Sequence, residues 1–107
     1  MSAFLLEPVY DDEGHLVQLV PRRRERAPRF RYFQSGAGPI FGWLTEPLEG
    51  RFASMVWVPV GPGARSGRAE EWAMVEAATS VHRLRKDAKA RALRLYRAHE
   101  AGDPRPW

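Results

Sequence analysis

Arg83, Lys86, Arg94 and Arg97 fall on one side of the C-terminal third of the chain when it is wound as a helix at about 100° per residue. Side chains of that type at that spacing can grip phosphate, arginine by forking onto its oxygens and lysine as a point charge. Opposite them fall Met74, Ala77, Ala78, Val81, Leu84, Ala88, Ala92, Leu95 and Tyr96. An apolar stripe backed by a basic one suits a helix that packs on its own domain and offers its outer side to a polyanion. It equally suits a helix whose charged face is merely solvated. A second basic set, Arg22, Arg23, Arg24, Arg26, Arg29 and Arg31, follows a proline at position 21 and reads as an exposed arm leading into a strand.

Other chemistry finds little to work with. The chain has no cysteine, which excludes disulfides, thiolate nucleophiles, iron–sulfur clusters and cysteine-based zinc sites. Of the three histidines, His82 and His99 stand 17 residues apart, not at the one-turn spacing of a helical metal pair. Asp11, Asp12, Glu13 and His15 lack the alternation and closing glutamate of a calcium loop and read as a solvated turn. Ser35 and Ser66 lie among glycines without the serine elbow of a hydrolase. Gly36-Ala37-Gly38-Pro39 and Gly61-Pro62-Gly63 lack the lysine or third glycine of a phosphate loop. No enzyme activity, metal or cofactor is expected.

The charge is informative in its distribution. The formal net charge is +4, yet Arg22–Arg31 carries six arginines against Glu25, and Arg83–Arg97 carries seven cations against Asp87. Those blocks exceed the whole, so the remainder is acidic, and a dipolar molecule with concentrated basic surface binds polyanions better than its net charge suggests. Fifteen of the 17 basic residues are arginine. That suits phosphate and base recognition; a high-GC genome would also favour arginine.

Those residues must be positioned by a single domain spanning 1–107, the size expected for one core. Residues 1–58 read as antiparallel β structure. Phe4–Tyr10 and His15–Val20 flank Asp11-Asp12-Glu13-Gly14 as an N-terminal hairpin. Arg29–Phe33, Pro39–Thr45 and Arg51–Val58, separated by glycine-bearing turns, make a three-stranded meander. Residues 59–67 read as a glycine- and proline-rich linker, 68–101 as one long basic amphipathic helix, and 102–107 as a tail. Glu70 and Glu71 suit the start of that helix, and Gly102 and Pro104 its end. The fold class is therefore α+β.

A helix of roughly 34 residues would span about 50 Å at about 1.5 Å per residue, beyond the roughly 30 Å breadth of so small a domain. Either it bends at Thr79-Ser80, its weakest point by propensity, or one end overhangs. An overhanging end would pair with a second copy through Leu84, Ala88, Ala92 and Leu95, forming a homodimer. The aromatic residues raise a related point. Phe30 with Tyr32, Phe41 with Trp43, and Met55 with Trp57 share strand faces. A sheet covered by one helix buries one face, so some of these rings are expected outside, beside Arg29, Arg31 and Arg51, where they could stack on bases. Trp72 falls opposite the apolar stripe and Trp107 ends the tail, which points both toward contacts beyond the main core.

Three antiparallel strands followed by a helix resemble small DNA-binding domains in outline, although the N-terminal hairpin and the long helix depart from them. The expected function is that of a small, non-enzymatic nucleic-acid-binding accessory or regulatory protein. It would contact DNA or RNA phosphate through Arg22, Arg23, Arg24, Arg26, Arg29, Arg31, Arg83, Lys86, Arg94 and Arg97. The alternative is a protein-binding module or inhibitor, such as a phage or mobile element encodes, docking by its helix or an aromatic face. Met1–Glu7 has no basic n-region and no run approaches 18 apolar residues, so a cytoplasmic protein without membrane contact is expected.

Overall fold

The computed structural model describes residues 6–10, 16–21, 29–36, 38–61, 63–64 and 71–107. The N-terminal hairpin is present as β1 (Leu6–Tyr10) and β2 (Leu16–Pro21), with a register irregularity between Val9 and Tyr10. The turn expected at Asp11–Gly14 lies outside the described residues. The meander follows as β3 (Phe30–Gln34), β4 (Ile40–Leu44) and β5 (Phe52–Val60), each antiparallel to the next. Between β4 and β5, Leu48 and Arg51 exchange backbone hydrogen bonds of 2.8 and 3.0 Å around Glu49 and Gly50. Both central residues have positive φ, 52° and 75°, as a two-residue hairpin turn of the primed kind requires. β5 runs two residues further than its sequence pattern implied, to Val60. Pro59, which has no N–H to give, lies beyond the last β4 partner, since that pairing ends at Ile40 with Trp57.

The long helix is where the structure departs from expectation. Helix α1 covers Arg85–Glu100 rather than 68–101. The stretch before it is extended: β6 (Glu71–Met74), one 3-10 turn over Glu76–Ala78, then β7 (Ser80–His82). Both strands run antiparallel along the same edge of β5, β6 against Trp57–Val60 and β7 against Phe52–Ser54. Across the break, the Val75 N–H donates to the Val56 carbonyl at 2.8 Å. The reason is tertiary. Nine residues of β5 present a row of backbone donors and acceptors that must be paired when buried. Trp72, Val75, Thr79 and Val81 suit a pleated surface better than a helix. Of the four stripe residues within 71–82, Ala77 and Ala78 fit any face, and Met74 and Val81 are equally at home in a strand. At 16 residues α1 is about 24 Å long and needs neither bend nor overhang.

Both faces of the sheet are closed, which corrects the expectation of a single buried face. Toward α1 point Phe41, Trp43 and Val56, packed with Ala78, Ala88, Ala92 and Leu95 and edged by Phe33, Phe52 and Tyr96. Away from it, Ile40, Leu44, Ala53, Met55 and Trp57 form a second cluster with Leu48, edged by Phe30, Trp72 and Met74. Gly42 sits in the middle of β4 because the Phe30 ring occupies the space a side chain there would need. A Cβ there would meet that ring and stand 2.6 Å from the Arg31 carbonyl oxygen.

The C-terminal end of α1 matches its sequence signals. Gly102, at φ 107°, donates its N–H to the His99 carbonyl, while the Asp103 N–H reaches back to Ala98. Those two bonds are a Schellman motif. Trp107 then folds onto the Phe41–Leu95 cluster, and Trp72 packs on the opposite one, so neither is the outward contact expected of it.

Candidate phosphate-binding surface

Ala88, Ala92 and Leu95, at successive helical turns, seat α1 on the sheet. Small side chains at the first two positions let the backbone approach closely over Trp43. Once that face is fixed, the helical period sends Lys86, Ala90, Arg94 and Arg97 outward, and all four are exposed. Ala88, Ala92 and Leu95, expected to pair with a second copy, are instead buried against the chain's own sheet, and Leu84 alone of that set is exposed, at 51%.

One flank of α1 overlooks β3 and β4. Lys89 holds its ammonium 5.9 Å from the centre of the Trp43 ring. Arg31 is the direct cross-strand partner of Trp43, so it leaves the sheet on the same side and brings a β3 cation toward the helix. Arg31 is exposed. Arg29 is instead engaged by Glu46 at 3.4 Å, an exposed pair that contributes little energy but partly neutralises that arginine. Arg83 is exposed in the bend between β7 and α1. Arg22, Arg23, Arg24 and Arg26 lie outside the described residues. Trp43 and Trp57, at 5% and 2% exposure, are closed to stacking bases; Tyr32 is the exposed ring of this group.

The other flank of α1 overlooks β7, and here lies an arrangement that the sequence reading missed. Ser80 and His82 alternate along β7 on the helix side, opposite Ser54 and Phe52. The Ser80 hydroxyl and His82 Nε2 are 2.7 Å apart. Facing His82, the α1 residues Asp87, Ala90, Arg91 and Arg94 complete an open cleft of about 280 Å³. The Arg91 Nε is buried with no hydrogen-bond partner, and so is the Ser54 hydroxyl. Burial holds the His82 pKa below the ordinary histidine value, with Asp87 pulling it up and Arg91 pushing it further down. A serine and a histidine two apart share a face only in a strand, so the pair was invisible while the segment read as helix.

Two further titratable groups sit at the far end of α1. Burial, together with a hydrogen bond to Glu100 one turn on, raises the Tyr96 pKa. His99 packs its ring against Phe41, centroids 5.4 Å apart, with Nδ1 buried and unpartnered. Among the described residues no three His, Asp or Glu side chains gather as a metal site. No described helix is long and apolar enough to cross a membrane.

Comparison with protein-family models, curated proteins and solved structures returned no match.

Proposed function

We propose that this chain is a small, non-enzymatic nucleic-acid-binding protein that grips the phosphate backbone through the outward side of α1. One observation carries the reading. Arg85, Lys86, Lys89, Arg91, Arg94 and Arg97 are set against only Asp87 and Glu100 on one helix, and among the described residues none of these six is ion-paired to a carboxylate. Arg31 and Arg83 extend the same basic surface at the helix flanks. Like charges left unneutralised so close together oppose folding and favour a polyanion. With Trp43 and Trp57 in the core, contact is by phosphate rather than by base stacking, so binding is sequence-tolerant and strongly salt-dependent.

Titrating labelled duplex and single-stranded oligonucleotides at rising salt tests this. Lys86→Ala, Arg94→Ala and Arg97→Ala should each weaken binding to all sequences alike and reduce the logarithmic salt slope by roughly 0.7 to 0.9 per lost contact. Failure to bind duplex DNA, single-stranded DNA or RNA at low salt would overturn the proposal. The helix face would then be a docking surface for an acidic protein.

A further inference from the structure

We infer that the cleft between β7 and α1 is a binding site for a protonatable phosphoryl group, meaning inorganic phosphate or a phosphomonoester. This site shares Arg91 and Arg94 with the cationic side of α1, but its recognition of a phosphoryl group through His82 and Asp87 does not rest on the backbone grip.

The donors come from two elements. β7 supplies His82, fixed by the Ser80 hydroxyl at 2.7 Å, and α1 supplies Arg91 and Arg94 one turn later than Asp87 and Ala90. Arg91 Nε is sealed from solvent without an acceptor, so an oxyanion in the cleft is met by the rest of the Arg91 guanidinium together with Arg94 and His82. The volume of about 280 Å³ holds a tetrahedral anion together with waters, each of which takes about 30 Å³ in the liquid.

Asp87 decides which anion. Its carboxylate lines the same cleft and repels a fully deprotonated oxyanion such as sulfate. A phosphoryl group that retains one P–OH can donate that hydrogen to Asp87 while its other oxygens accept from Arg91, Arg94 and His82. Phosphomonoesters have a second pKa of about 6, so this form is populated near neutrality. A backbone diester has no such hydrogen and cannot satisfy Asp87. The cleft therefore selects against both sulfate and internal phosphates.

Protonation follows with a definite sign. His82 faces Asp87, Arg91 and Arg94 from α1, and Phe52 and Ser54 from β5 carry no titratable group. Its depressed pKa keeps the free cleft neutral at that position. A bound anion favours the imidazolium, so phosphate should raise the pKa of His82, and affinity should grow as pH falls from about 7 toward about 6.

The test follows the His82 ring proton resonance by NMR in the unmodified protein during titration with inorganic phosphate, with sulfate at matched ionic strength. Phosphate should shift the resonance and raise its titration midpoint; sulfate should do so at least tenfold more weakly. Asp87→Asn should narrow that gap by admitting sulfate, and Arg91→Gln should abolish the phosphate response, with Arg91→Lys as the charge-retaining check on folding. Paired oligonucleotides with and without a 5′-phosphate then identify the source. A phosphate-competed preference for the phosphorylated strand assigns the site to strand ends, and a His82 response without that preference assigns it to free phosphate or small esters. A His82 resonance indifferent to phosphate at tens of millimolar, or equal response to sulfate, overturns the inference.

Discussion

The two ends of α1 are built on opposite terms. At the C-terminal end the chain is closed by the Schellman bonds of Gly102 and Asp103, and the last turns pack Leu95, Tyr96 and His99 among Phe33, Phe41 and Trp107. At the N-terminal end the cap position is Leu84, half in solvent and without a side-chain hydrogen bond to any orphan N–H. Arg85 and Lys86 follow at once, in the turn where the helix macrodipole disfavours positive charge, and only Asp87 balances them. The contrast teaches that the first turn is not arranged for helix stability. Anchoring at the far end and at Ala88 and Ala92 leaves the near end free to carry cations beside the cleft.

The contrast would break most visibly at Leu95, which is 1% exposed. Leu95→Ala should lower stability by about 3 kcal/mol in denaturant titration; a loss below about 1 kcal/mol would mean the far end is not the anchor. Gly102→Ala forces a side chain into a left-handed conformation and should remove about 1 kcal/mol by the same measurement. At the other end the sign reverses. Leu84 has the extended backbone of a cap residue at φ −118°, so Leu84→Ser, which supplies the missing oxygen, should raise stability by roughly 0.5 kcal/mol. A loss there would show that the exposed leucine is held by contacts more valuable than a cap.

The closed end was legible in the sequence and the open end was not. Gly102 and Pro104 are local signals, and local chemistry decides where the helix stops. The hairpin and the meander were likewise written in short turns such as Glu49-Gly50, where backbone conformation is set by neighbouring residues. The start of α1 has no such signal, because Leu84 is not a capping residue and Glu71, which suits a helix start, lies in β6. Whether residues 71–82 coil or extend was decided by the unpaired edge of β5, a partner far away in sequence. That error hid the cleft, since Ser80 and His82 meet only as strand neighbours. Arg94, Lys86 and Arg97 were placed correctly because they lie within the part that is helical. The burial of Trp43 and Trp57 was missed because a count of rings does not reveal that both sheet faces are covered.

The division of one β5 edge between two short strands has a consequence for motion. A continuous strand would have to peel away along its whole length, but β7 is only three residues long and is separated from β6 by a turn. It can open as its own small cooperative unit while β6 remains zipped, at far less than the free energy of global unfolding. Ser80 and His82 ride on that unit, and the facing arginines ride on a helix anchored elsewhere. One wall of the cleft can therefore breathe against a fixed one without disturbing the rest of the sheet.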